Sequence, residues 1–235
     1  MKKNVPEING ILRSNMIKVP ECIREASGII VLGKRIKSLI FSTDVALIRN
    51  TNADAILAVY PFTPQPVITA AIMTGTDKPV FCGVGGGLTT GKRVVNLALD
   101  AEFKGAYGVV LNNPTPNQVL SRVRKTVDIP VVVTVVSETE DIQARIDAGA
   151  SILNVSAGKR TAHVVREIRK SFPDFPILAT GGSSDESIRE TIEAGANAIT
   201  VTPPTSADIF TEMMIRYRRV YEEKGVLEEI LEDEK

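Results

Sequence analysis

Short apolar runs recur along the chain, each followed by a longer stretch in which apolar residues return every three or four positions. The first pattern belongs to a strand buried on both faces, the second to a helix with one apolar stripe. The alternation is clearest from Pro176 to Ser206. Ile177 to Thr180 is too short for a helix and is bounded by Pro176 and Gly181-Gly182, which predicts a buried strand. Ser183-Ser184-Asp185-Glu186 has the form of a capping box, and Ile188 and Ile192 lie one turn apart on a single stripe. Ala194-Gly195-Ala196 stops that helix, and Ala198 to Val201 reads as the next strand.

The same unit occurs one step earlier. Pro130 falls on Pro176, Thr134 on Thr180, Ile142 on Ile188, Ile146 on Ile192, and Ala148-Gly149-Ala150 on Ala194-Gly195-Ala196, a constant offset of 46 residues. A repeated strand and helix builds a parallel sheet, and eight copies close it into a (β/α)8 barrel. The pattern places barrel strands at 38–42, 55–60, 79–83, 108–112, 130–136, 151–156, 177–180 and 198–202. Helices are expected at 43–50, 67–74, up to about Phe103, 117–126, 140–148, 162–172, after Ser183, and from Ser206 to about Glu223. Ahead of them, Pro20 to Ala26 suits a short helix, and Gly28 to Gly33 an extra strand that pairs or plugs at the barrel base.

A length of 235 residues fits one α/β TIM-barrel domain, with 1–37 as an N-terminal extension closing the floor, 38–223 as the barrel and 224–235 as an acidic tail. Formal net charge is zero and the pI is near 6.6, which gives no electrostatic footprint for nucleic acid. No apolar run approaches membrane-spanning length, and MKKNVPEING lacks the apolar region of a signal peptide. Cys22 and Cys82 have no metal-ligand spacing and suggest a reducing compartment. The expectation is a cytoplasmic protein, with a homo-oligomer compatible with the sequence. No cofactor fingerprint or metal cluster is visible, so any cofactor is unknown.

In a barrel, the groups just after each strand converge at one end. The loops after the seventh and eighth strands carry the sharpest signal. Gly181 and Gly182 lack Cβ atoms, so an anion can approach the backbone N–H groups, and the opening of the next helix adds partial positive charge. Thr180, Ser183, Thr205 and Ser206 offer further donors, which makes these six residues the candidate phosphate or carboxylate site. The alternative is a tight turn and nothing more. Lys159-Arg160 can clamp an anion or form a solvated loop pair. Asp44 and Glu138 are placed for proton transfer, although each also suits a helix N-terminus. Asn112 and Asn113 can donate to a carbonyl, or shape an Asn-Asn-Pro turn. The catalytic candidates are therefore Asp44, Glu138, Asn112 and Lys159.

His163 is the single histidine, which leaves neither a zinc site nor a Ser-His-Asp triad with strong support. Gly86 to Lys92 has the glycine and lysine spacing of a P-loop, but Arg93 stands where a magnesium-binding hydroxyl is needed. The stretch reads instead as a loop that folds over substrate or as a plain connection.

The string ATGGSSDESIRETIEAGANAITV resembles the end of phosphate-binding (β/α)8 barrels, among them 2-keto-3-deoxy-6-phosphogluconate aldolases and the thiamine-phosphate and ribulose-phosphate barrels. The match lies in Thr180-Gly181-Gly182, Ile188 to Glu193 and Ala194-Gly195-Ala196, about a tenth of the chain. Chain-wide, the protein is also similar to small bacterial barrels labelled hydrolases. This resemblance implies a small anionic metabolite held after the seventh and eighth strands. Two departures stand out. Pro203-Pro204 removes two N–H donors after the last strand, and the sixth strand, SILNVS, carries no Schiff-base lysine. The leading expectation is an enzyme, a lyase, isomerase or hydrolase acting on a small phosphorylated or carboxylated metabolite. Its rival is a non-catalytic regulatory barrel that binds such a metabolite and acts through a protein partner.

Overall fold

A computed structural model describes Pro6, Ile8 and residues 16–224, the side chains of 222–224 excepted. The expected acidic tail and most of the first fifteen residues lie outside the described residues. The described residues form two compact units, one through Thr202 and one from Pro203 onward.

The first unit opens with a 3-10 turn, Glu21–Glu25, and a hairpin of β1 (Ile29–Val31) and β2 (Lys34–Ile36). Eight parallel strands follow: β3 (Ser38–Phe41), β4 (Ala55–Ala58), β5 (Val80–Gly85), β6 (Gly108–Leu111), β7 (Val131–Val135), β8 (Ile152–Val155), β9 (Ile177–Thr180) and β10 (Ala198–Val201). They pair in chain order, and β10 returns to β3 to close the barrel. The connecting helices are α1 (Val45–Arg49), α2 (Pro66–Gly75), α3 (Lys92–Phe103), α4 (Asn117–Thr126), α5 (Ile142–Asp147), α6 (Thr161–Ser171) and α7 (Asp185–Glu193). The expected α/β barrel is thus the observed fold, with α4 and β9 at the expected residues. The second unit carries α8 (Ser206–Lys224).

Side chains alternate across each strand. One set, including Leu57, Phe81, Val132, Ile152 and Leu178, fills the barrel interior, and Val31 and Ile36 of the hairpin pack with it. The other set, including Ile40, Ile56, Val131, Leu153 and Ile199, packs outward against the helices through residues such as Ile48, Leu120, Val165 and Ile188. Each fully buried aliphatic side chain contributes about 1.5–3 kcal/mol. Cys22 and Ile23 of the 3-10 turn belong to the outer layer, and the turn lies against α7, where Arg189 pairs with Glu25.

The Ala-Gly-Ala motifs have a specific cause. Gly149 and Gly195 adopt φ of +106° and +111°, the left-handed region that ends a helix. A Cβ on Gly149 would lie 2.5 Å from Arg124 Cγ, and one on Gly195 would lie 2.7 Å from Arg169 Cγ. In both copies an arginine near the end of one helix lays its stem over the glycine that follows the next helix.

Two helix starts differ from expectation. The capping box of α7 runs from Ser184 to Ser187, one residue later than Ser183 to Glu186, because Ser184 Oγ accepts from Ser187 N and Ser187 Oγ accepts from Ser184 N. Helix α5 begins at Ile142 rather than Glu140, since Asp141 caps it by accepting from Ala144 N at 2.9 Å.

Cys82 faces the helix layer, and burial pushes its thiol up to about 12, with the charge of Asp100 adding to the shift. A thiol whose folded pKa is raised supports the fold fully below its unfolded pKa of about 8.5, and that support is lost as pH rises toward 12. Urea-denaturation stability of the native sequence is therefore expected to fall, relative to Cys82→Ala, by up to about 1.4 kcal/mol per pH unit above about pH 9. Parallel curves for the two proteins between pH 8 and 10.5 would contradict this.

Candidate functional site

The strand ends and the loops after them form the mouth of the barrel. Two clefts there concern the candidate residues. The first, of about 500 Å³, is lined by Lys159, Thr180, Gly181, Gly182, Ser183, Ser184 and Thr202, with Ser187, Glu190 and Thr191 of α7 along one side. It brings together all the candidate phosphate residues of the first unit and Lys159.

The two glycines act differently. Gly181 N donates to Thr200 O at 2.9 Å, so this N–H belongs to the sheet. A Cβ on Gly181 would meet Ile199 Cγ2 at 2.7 Å, which makes its role one of packing. Gly182 and Ser183 are exposed, and their N–H groups make no hydrogen bond among the described residues. They sit just ahead of α7, whose first turn carries partial positive charge. Lys159 is exposed on the short 3-10 turn Gly158–Arg160 and forms no ion pair among the described residues. Arg160 is committed elsewhere, its Nη2 contacting both carboxylate oxygens of Glu138.

Asn112 lines the second cleft, of about 320 Å³, together with Tyr60, Phe62, Thr63, Asn113 and the loop around Gly86. That loop is not a phosphate cradle: Gly86 and Thr89 exchange backbone hydrogen bonds at 3.0 and 3.2 Å, Gly87 N reaches Pro114 O, and Thr89 meets the Thr63 hydroxyl. Asn113 donates to Glu140 Oε1 at 3.0 Å, and the same oxygen accepts from Val136 N at 2.9 Å. Arg145 completes this brace by pairing with Glu140 and bonding Thr115 O and Asn117 Oδ1.

Asp44 and Glu138 line neither cleft. Asp44 is the N-cap of α1, its Oδ1 accepting from Ala46 N and Leu47 N at 2.8 and 3.3 Å. Glu138 is held by Arg160, with His163 Nε2 at 3.9 Å. In the second unit, Thr205 bonds Asp208 through both backbone and hydroxyl, which holds the Asp208 carboxyl below its usual range, and Ser206 opens α8.

Below the mouth lies a feature that pattern reading missed. Thr134, Asn154 and Thr200 are buried inside the barrel, at 7, 5 and 1 % exposure. Asn154 Nδ2 donates to Thr134 Oγ1 at 3.1 Å, and Thr134 Oγ1 donates to Asn112 Oδ1 at 3.2 Å. Asn154 Oδ1 and Thr200 Oγ1 are buried without a partner among the described residues. Each such atom costs about 1–3 kcal/mol. The available signal was Asn154 itself, a lone amide inside an otherwise apolar strand. Among the described residues no three His, Cys, Asp or Glu side chains lie close enough to share a metal ion.

A closed parallel barrel with its polar groups gathered at one end is the architecture of the (β/α)8 enzymes. Solved structures of that class are similar to this chain. A 2,3-dimethylmalate lyase, described as a PEP mutase/isocitrate lyase superfamily member, is 13% identical with a TM-score of 0.59, over 87% of this chain and 86% of that one. Phosphonopyruvate hydrolase, solved with oxalate and Mg²⁺, is 14% identical with a TM-score of 0.55, over 83% and 85%. Mandelate oxidase is 16% identical with a TM-score of 0.61, over 75% and 68%. At these identities the likeness is one of fold. None of the three is a ribulose-phosphate barrel or sugar-acid aldolase, so that finer resemblance rests on its motif alone. No protein-family model and no curated protein matches the chain.

Proposed function

We propose that the protein is an enzyme of the lyase, isomerase or hydrolase type, acting on a small carboxylated or phosphorylated metabolite at the barrel mouth. The observation that carries this reading is the 500 Å³ cleft, where the uncommitted N–H groups of Gly182 and Ser183 share a wall with Lys159. Backbone donors ahead of a helix and a mobile ammonium together suit a compact anion. Thr180 and Ser183 add hydroxyls, while Gly181 holds the turn in place. Of the three barrels with similar folds, the lyase and the hydrolase by name agree with this class, and the third is an oxidase.

Asn112, in the second cleft, is the donor to the reacting part of the substrate. Asp44 and Glu138 act in this reading through the groups they hold: α1 for the first, Arg160 for the second. Proton transfer by either requires release from those partners. Thr205 and Ser206 remain candidate anion donors of the second unit, with Thr205 already bonded to Asp208.

Titration with inorganic phosphate and with oxalate, followed by backbone amide NMR, tests the anion cleft. The expected result is saturable movement of the Gly182 and Ser183 signals, with affinity about tenfold weaker in Lys159→Ala, the effect of one charge-assisted hydrogen bond. No movement with either anion, or equal affinity in the variant, would overturn the reading.

A further inference from the structure

Resting on the reading above, we infer that the 320 Å³ cleft is a second, oxyanion-binding half of the active site, in which Asn112 and Tyr60 donate to a carbonyl or carboxylate oxygen of the substrate and Thr134 and Asn154 are positioning residues for Asn112. A hydroxyl has one proton to give. Asn154 Nδ2 donates to Thr134 Oγ1, so the Thr134 proton goes outward to Asn112 Oδ1. That fixes which end of the Asn112 amide faces the barrel. Its oxygen points inward, and its NH2 group, which has no partner among the described residues and is absent from the buried unpaired atoms, is left for the cleft that Asn112 lines.

Tyr60 supplies the second donor. Its Oη accepts from Gln65 N at 2.8 Å, which orients the phenol and leaves its proton without an acceptor among the described residues, and Tyr60 lines the same cleft. Val59, Pro61, Phe62 and Pro64 form apolar walls around these two donors. Paired donors in a partly apolar enclosure favour an oxygen that carries or develops negative charge.

The barrel interior gives the independent observation. By register, Val59, Asn112, Asn154 and Thr200 stand one inward step beyond Leu57, Val110, Ile152 and Ala198, on alternate strands, which are the four positions of one barrel layer. The lower layer is wholly apolar and folds well. The upper one carries two amides and a hydroxyl, and it leaves Asn154 Oδ1 buried and unpaired. Folding alone would favour an aliphatic side chain there. An amide that gives up its own acceptor in order to direct its neighbour's donor belongs to the site.

The test uses the full chain labelled with 15N, with the Asn112 side-chain NH2 signals identified by their loss in Asn112→Asp. Oxalate is expected to shift these signals in the native sequence. Thr134→Val, which keeps the volume and removes both hydrogen bonds, should abolish the shift and weaken oxalate at least fivefold. Thr134→Ser, which restores the hydroxyl, should recover both. Asn154→Leu should weaken oxalate by a smaller factor with undiminished thermal stability, which keeps the test open if Thr134→Val folds poorly. Tyr60→Phe should also weaken oxalate. Phosphate affinity at Lys159 should be the same in all four variants. Asn112 signals that ignore oxalate in the native sequence, or that respond equally in Thr134→Val and Asn154→Leu, would overturn the inference while leaving the anion cleft standing. Oxalate shifts at Asn112 without phosphate binding at Gly182 would instead support this cleft and overturn the anion reading.

Discussion

Replacing Arg169 by alanine is expected to lower stability by about 3 kcal/mol or more, read as a fall in the urea midpoint. This guanidinium, at the end of α6, donates to Gly195 O, Phe172 O, Pro173 O, Phe175 O and Asn197 Oδ1 at 2.6–3.1 Å. Asn197 Oδ1 also accepts from Ile177 N, so the same cluster sets the start of β9, whose far end reaches the anion cleft. Removal takes a donor from four backbone carbonyls and from Asn197 Oδ1 at once, and partial burial draws the Arg169 pKa down. Lysine at this position should recover little, because a three-proton ammonium cannot reproduce a planar fork with five donors. A loss below about 1 kcal/mol would show that water replaces the fork without difficulty.

Gly182→Ala should affect the proposed binding function most directly. A Cβ there would fall 2.0 Å from Ser187 Oγ and 2.5 Å from Ser187 Cβ, and Ser187 is half of the α7 capping box. The turn must move, at a cost of about 1–3 kcal/mol. The N–H groups of Gly182 and Ser183 move with it, so phosphate affinity is expected to drop at least tenfold. Adding Ser187→Gly removes the atoms in the way. The double variant should regain most of the binding and all but about 1–2 kcal/mol of the stability, the cost of glycine within a helix together with the lost Ser187 half of the capping box. Unchanged phosphate affinity in Gly182→Ala would remove this turn from the site.

Much of the architecture was readable because it depends on local periodicity. Each apolar strand, the stripe of α7 and each Ala-Gly-Ala stop is a pattern of a few neighbouring residues. The convergence of Lys159 with Thr180 to Ser183 was readable as well, since it follows from their both coming after neighbouring strands. What escaped depends on contacts between distant segments. Asn154 looks like a tolerated flaw in SILNVS until register places it next to Thr134. Glu140 resembles a helix opener, yet its carboxylate bonds Asn113, 27 positions earlier in the chain. Asp44 fitted two descriptions from the start, and the hydrogen bonds to Ala46 and Leu47 show the capping one in place.

The arginine stems lying over Gly149 and Gly195 also bear on how such a chain can be recombined. Arg124 on α4 is matched to the glycine after α5, and Arg169 on α6 to the glycine after α7. A splice made between α5 and α6 hands over both members of each match intact. One made between α4 and α5, or between α6 and α7, sets a long cationic side chain against a loop of foreign shape. In this half of the molecule, the natural interchangeable piece is a quarter of the barrel rather than an eighth.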